Sequence, residues 1–249
     1  MTSHPPPAGT GARLTLNSPL SSTSLDRLVA AATEGKPSRV IDHGCGWGEA
    51  LLRALVAAPV ATGVGIDLHA PDLVRARTAA EDRGLGQRVE FVLGSSVDHR
   101  EAADLVISLG AFQAFGEPSS ALCALREDAR PGGRALFGLE YWVSSPTAEE
   151  LGHMWDGASE ADCLTLPDIV DLVHAAGWRV LDLHDSTRQE FDAFEVGHLQ
   201  EREQWAVAHR GETDTIGSHT ALTAELDQAW TRWLRGHRRS MGFVSLVLG

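Results

Sequence analysis

Three glycines at alternate positions behind an acidic residue, Asp42-His43-Gly44-Cys45-Gly46-Trp47-Gly48, carry the most definite chemistry in this chain. The apolar stretch Arg39-Val40-Ile41 runs into them, and helix-forming sequence follows from Glu49. Glycine serves where the backbone must turn sharply or lie against a ligand with no side chain between, and the amides of a helix start favour electronegative groups. The segment reads as a loop for a nucleoside-bearing cofactor; a tight strand-to-helix turn that binds nothing is the plainer alternative. The next apolar run, Gly63 to Ile66, ends in Asp67, about twenty residues on, where a carboxylate can accept from both hydroxyls of a ribose or simply cap the following helix. The glycine spacing is G-x-G-x-G and not the G-x-G-x-x-G of dinucleotide loops.

Further along, Glu140-Tyr141-Trp142 places a carboxylate, the chain's one tyrosine and an indole just past another apolar run. Glu140 is a candidate general base or anchor for a cationic amine, and Tyr141 a candidate orienting hydroxyl; a solvated loop carboxylate and a packed ring are the alternatives. Phe112, Gln113 and Trp142 are candidates for lining an acceptor pocket. His43, inside the glycine loop, reads as a satisfied structural side chain, whereas His209 and His219 flank a polar turn from which a base could swing over a substrate. No histidine pair has the helix-face spacing and carboxylates of a metal site, so no metal is expected.

Composition narrows the field further. Lys36 is the only lysine and precedes the first apolar run, which removes a phosphate-loop or Schiff-base lysine. A net charge of −13 opposes a nucleic-acid partner. Cys45, Cys123 and Cys163 are scattered, which fits a reducing cytosol without a disulfide framework, and Cys45 is expected to fill space in the loop. No apolar run approaches membrane-spanning length and no leader pattern opens the chain, so a small-molecule substrate, no membrane and a cytoplasmic location are expected.

These residues must be positioned by alternating strands and helices. Short apolar runs predict strands over 38–42, 62–67, 89–93, 103–108 and 133–139, with helices over 48–57, 71–83 and 118–127, and a leading helix from Ser24 to Ala32. That alternation requires parallel strands with helices on both faces. Pro131-Gly132-Gly133 predicts a turn before the fifth strand, and Thr165, Pro167 and Asp168 start a helix that stops at Gly177. A sixth strand follows over Arg179 to Leu183, then helices from Arg188 to His209 and Ala221 to Arg239, then a last strand from Gly242 to Leu248. The expected organisation is one domain over 1–249, with a flexible segment over 1–20 and a helical cap over 188–240. The arginines at 232, 235, 238 and 239 read as a solvated face.

With these elements placed, the chain from about Asn17 onward resembles the class I S-adenosylmethionine-dependent methyltransferases, and more closely a bacterial small-molecule subgroup. The glycine loop matches that family's motif I. Subgroup-like features are Asn17-Ser18-Pro19-Leu20-Ser21, Ala111-Phe112-Gln113-Ala114-Phe115-Gly116, Tyr141-Trp142 and Gly242-Phe243. The resemblance implies a Rossmann-like α/β fold: a seven-stranded, mostly parallel sheet with an antiparallel last strand. It implies S-adenosyl-L-methionine held by Asp42, Gly44, Cys45, Gly46, Trp47 and Gly48, by Asp67 and Leu68, by Ser95 and Ser96, and by Leu109 and Gly110. It also implies methyl transfer to oxygen or nitrogen, less often carbon. Ser95 stands where the family usually has an aspartate that reads the adenine amine, and Phe112-Gln113 where the subgroup tends to carry Ser-His. An NAD-dependent oxidoreductase and a non-catalytic S-adenosylmethionine-binding protein remain as alternatives.

Overall fold

The computed structural model describes residues 4–211 and 216–249. The strands are β1 (Arg39–His43), β2 (Thr62–Asp67), β3 (Val89–Leu93), β4 (Ala103–Leu109), β5 (Ala129–Trp142), β6 (Val180–Asp185) and β7 (Met241–Leu248). They form one sheet in the order β3-β2-β1-β4-β5-β7-β6, parallel except for β7, which runs antiparallel to both neighbours. The strand order reverses between β1 and β4, so a crevice opens beyond their carboxyl ends, where open α/β sheets bind ligands.

Helices cover both faces. On one, α1 (Ser22–Thr33), α2 (Glu49–Ala57) and α3 (Ala70–Asp82) bury Leu25, Leu28, Leu51, Leu55 and Leu73 against Val40, Leu105, Ile107 and Leu136. On the other, α4 (Pro118–Asp128) and α6 (Leu166–Ala175) pack Leu122, Leu125, Ile169 and Val173 on Ile41, Val106 and Phe137. α6 begins as its sequence predicts: the Thr165 hydroxyl caps the Asp168 amide, the Asp168 carboxylate answers the Thr165 amide, and Pro167 needs no donor in the first turn. A short helix, α5 (Ala148–Leu151), follows β5 and has no apolar period long enough to announce it.

Two departures from the sequence expectation shape the site. First, β5 runs to Trp142, three residues past the expected end, because Glu140, Tyr141 and Trp142 pair with Phe243, Gly242 and Met241 of β7. Pro131-Gly132-Gly133 is an irregularity within this strand, with Gly132 at φ +77°. Second, the excursion between β6 and β7 consists of α7 (Arg188–Ala208), α8 (Ile216–Thr231), which starts earlier than expected, and a wide π-helical turn over Arg232–His237. α7 is pinned at its start by Glu190, whose carboxylate accepts from the Ser21 amide and Ser24 hydroxyl at the head of α1 and from the Thr187 cap. These donors hold it well below the ordinary carboxylate range despite partial burial. Arg238 makes a bidentate pair with Asp192, and Arg239 one with Glu150, so these two arginines clamp the turn to α7 and α5.

Residues 10–20 lie across the carboxyl edge of the sheet. Leu14 fills the space left by Gly197 of α7, and Arg13 donates to Gln204. The Trp47 indole donates to the Thr15 carbonyl at 2.6 Å, and Arg75 stacks on the Trp47 ring at 3.9 Å while donating to the Gly11 carbonyl. No helix among the described residues is long and apolar enough to cross a membrane.

Candidate active site

A cavity of about 200 Å³ opens at the β1–β4 crevice, lined by Asn17, Ser18, Asp42, Gly44, Cys45, Gly46, Trp47, Glu49, Asp67, Asp72, Leu109, Gly110 and Ala111 among others. Its floor is the glycine loop. Gly44, Gly46 and Gly48 all have positive φ, at +70°, +52° and +76°. A Cβ on Gly44 would lie 2.3 Å from that of Ala111, and one on Gly48 would strike the Phe91 ring. Only Gly46 has room for a side chain, facing Asn17 across the cavity.

Asp67 accepts the Gly46 amide on one oxygen and the His69 amide on the other, both at 2.8 Å. The carboxylate therefore fixes the loop, and each oxygen retains a lone pair for a further donor. Asp42 is fully buried; burial, and then the neighbouring Asp67 charge, push its pKa from 3.8 up to about 7. Glu49 is neutralised by Arg53 and Arg83. The Cys45 thiol is pushed upward by burial and then by Asp42, which makes it a space-filler under the loop and not a nucleophile. Leu68, Ser95 and Ser96 follow the paired strand ends Asp67 and Leu93, on the same edge but outside the cavity lining, and Leu68 is exposed.

A second chamber, of about 560 Å³, adjoins the first. The chain passes directly from one lining to the other at Ser18–Pro19 and at Ala111–Phe112. Phe112, Gln113, Glu117, Glu140, Trp155, Asp162, Cys163, Phe191, Phe194, Glu195, His237 and Met241 line it. Phe112, Gln113 and Glu140 thus share one lining. Burial raises the Glu140 pKa, with Glu195 adding to the effect. A larger groove, of about 740 Å³ between residues 13–25 and α7, includes none of the glycine-loop residues.

Tyr141 and Trp142 are not in the chamber. Extension of β5 makes consecutive residues face opposite ways, so Tyr141 points away from Glu140 into the cluster containing Ile169 and Val173, with its hydroxyl bonded to Asp185. Gly242 leaves room for its ring. Trp142 is on the Glu140 face but lies beneath the chamber, packed with Met154, Trp233 and Phe243, its indole donating to the Glu160 carbonyl. His43 faces the opposite side of the sheet from the cavity, completely buried, with Nε2 3.1 Å from Asp128, which Arg100 also holds. His209 stacks on Trp205 and His219 meets the Ala206 carbonyl, both at the far end of the α7–α8 hairpin; the turn between them lies partly outside the described residues.

The histidine in the chamber is His237. The π-helical turn buries Trp233, Gly236 and His237 together, and Gly236 lets the turn approach the His153 backbone. His237 Nε2 is 3.2 Å from Glu195, and its Nδ1 is buried with no hydrogen-bond partner. Nothing in the local sequence signals this residue, because a π turn has no apolar period of its own and Glu195 is forty-two positions away. Asn17 and Ser18 were legible only as a subgroup-like stretch.

A family model for a methyltransferase domain matches residues 34–208. The chain belongs to this methyltransferase family, with its Rossmann-like sheet and antiparallel last strand. The uncharacterized protein YjhP of Escherichia coli (strain K12) is 27% identical over 213 residues, 85% of this chain and 84% of that one. The X-ray structure of E. coli YjhP matches with a TM-score of 0.81 at 25% identity, covering 94% of each chain. A S-adenosylmethionine-dependent methyltransferase from Geobacter sulfurreducens, crystallised with S-adenosyl-L-homocysteine, shares the fold with a TM-score of 0.80 at 24% identity, over 94% of this chain and 93% of that one. The demethylmenaquinone methyltransferase of Thermus thermophilus is 35% identical over 129 residues, 47% of this chain and 59% of that protein.

Proposed function

We propose that this methyltransferase takes its methyl group from S-adenosylmethionine in the glycine-loop cavity and places it on oxygen or nitrogen of a small molecule in the adjoining chamber, carbon being the lesser outcome. The observation that carries the reading is the junction of an acidic, glycine-floored cavity with an aromatic chamber along residues 18–19 and 111–112. When bound, S-adenosylmethionine supplies a methyl group already activated by its sulfonium, so no covalent intermediate with the protein is required.

The donor set fits that cofactor. Asp67 offers two oxygens, each with a free lone pair, to a ribose diol. Asp42, Asp67 and Asp72 suit a ligand with positive charge, whereas a dinucleotide pyrophosphate would meet three carboxylates. The Asn17–Ser18 stretch closes the cavity from above, and Leu109–Gly110 brings the β4 edge to its side. The chamber's volume is that of a small-molecule site, and its rings exclude water and orient the acceptor. We read the chain as one domain in which residues 188–240 cap this chamber.

Calorimetry with S-adenosylhomocysteine tests the reading. The wild type should bind, and Asp67→Ala should weaken binding by about 10–150-fold, the worth of about 1.5–3 kcal/mol for bonds to a charged group. Unchanged affinity would remove Asp67 from the site; binding of nicotinamide dinucleotide in place of S-adenosylhomocysteine would restore the oxidoreductase alternative.

A further inference from the structure

The charge inside the acceptor chamber is one-sided. Among the described residues four carboxylates line it, Glu117, Glu140, Asp162 and Glu195, and no lysine or arginine does. Two of these carboxylates are already occupied. Asp162 accepts from the Trp155 indole at 2.8 Å and from Ser159, and Glu195 pairs with His237. Glu117 is exposed. Glu140 is different: it is half-buried in the chamber wall and has no side-chain hydrogen-bond partner among the described residues, with Glu195 and His237 as its charged neighbours. A carboxylate in an aromatic chamber gains from a ligand that brings the opposite charge, and takes up a proton readily.

His237 is the second feature. A carboxylate only accepts, so the imidazole Nε2 donates to Glu195. The ring is held against Trp233 at 5.0 Å and is only 8% exposed, with Nδ1 closed off from the chamber, so His237 fixes the position of Glu195. Phe112, Phe191 and Phe194 supply the apolar wall.

Resting on the methyltransfer reading above, we propose that the acceptor is an amine with an aromatic or alkyl body, anchored as its ammonium by Glu140 and methylated on that nitrogen once Glu140 has taken a proton from it. One ammonium N–H bond breaks and its proton passes to the Glu140 carboxylate in the chamber wall. The freed nitrogen lone pair forms the N–CH₃ bond as the S–CH₃ bond of S-adenosylmethionine breaks, and that electron pair stays on sulfur. The products are the methylated amine and S-adenosylhomocysteine. An acid or phenolate acceptor would instead bring negative charge against Glu140 and Glu195.

The test uses the full chain, with and without S-adenosylhomocysteine, and shape-matched probes: phenethylamine and tryptamine, their alcohols 2-phenylethanol and tryptophol, and the acids 3-phenylpropionate and indole-3-acetate. Ligand-observed NMR should give amines bound at least about tenfold tighter than the matched alcohols, with the acids weakest. Glu140→Gln should bring amine and alcohol within about threefold while S-adenosylhomocysteine affinity is retained; Glu195→Gln provides a second reading if the first variant folds poorly. Glu140→Gln should also lose turnover. An alcohol or acid that binds as well as its amine, no amine binding up to about 10 mM, or an amine preference that survives both glutamine variants overturns the proposal. Absence of S-adenosylhomocysteine binding overturns the cofactor reading instead, whereas its binding without any amine preference overturns this inference alone.

Discussion

The two cavities that meet at Ser18–Pro19 and Ala111–Phe112 are built by different means. The cofactor side is made by backbone: three glycines at positive φ, two amides on Asp67, and strand ends that put Asp42, Gly44 and Leu109 on one edge. The acceptor side is made by side chains from β5, the segment around Asp162, α7 and a π-helical turn, brought together from positions more than a hundred residues apart. Its carboxylates also behave differently. Asp67 is held by amides and Glu49 by arginines, whereas Glu140 is left open. A backbone-built site tolerates few substitutions because the fold itself occupies the space; a side-chain-built site can change its ligand by exchanging single residues.

The largest expected effect breaks the acceptor side alone. Glu140→Gln should lower kcat by about 10²–10⁴-fold, the usual worth of a positioned base, with S-adenosylhomocysteine affinity unchanged by calorimetry. A matching loss of cofactor affinity would mean that the two cavities are not separable in this way. Loss of Asp67, described above, is the counterpart on the cofactor side.

A smaller effect sharpens what the glycines do. Gly44→Ala combines positive φ with a clash against Ala111 and should cost about 1–3 kcal/mol of stability in chemical denaturation. Gly46→Val has space but the wrong φ for a branched residue, so cofactor affinity should fall more than stability does. Equal stability losses in the two variants would show that the loop's conformation, and not its packing, is what the glycines supply.

Asp42 adds a pH dependence. An acid whose native pKa is raised contributes stability at low pH that is lost as pH rises, here through the window from 3.8 to about 7. Asp42→Asn should therefore raise Tm by about 2–6 °C above that window and by almost nothing below it. Bound S-adenosylhomocysteine, with its cationic amino-acid end, should narrow the gap. A gap independent of pH would remove Asp42 as its source. The smallest effect is expected from Tyr141→Phe, which removes only a bond to Asp185: turnover and KM should match the wild type, with a stability loss near about 1 kcal/mol.

The glycine-loop half was readable because its requirements are local. Asp42, Gly44, Gly46 and Asp67 are specified by backbone geometry at two consecutive strand ends, and strand alternation places those ends together whatever the rest of the chain does. The same local logic located α6 through Thr165 and Asp168. Near Glu140 it reached its limit. Whether Tyr141 and Trp142 belong to a loop or to a strand depends on pairing with Met241 and Gly242, a hundred residues later, and that pairing sends Tyr141 to the other face. The histidines show the same division. His43 could be recognised as structural from its place in the loop, but its partner Asp128 could not. His209 and His219 were conspicuous in sequence and lie far from the chamber, while His237 reaches it because a widened turn, clamped by Arg238 to Asp192 and by Arg239 to Glu150, rotates it inward beside Glu195. Sequence alone thus determined the sheet, the glycine loop and the place of Asp67 at the strand end beside it, since hydrophobic period and backbone sterics act over a few residues; which charges line the second chamber was decided by long-range packing, which no local pattern encodes.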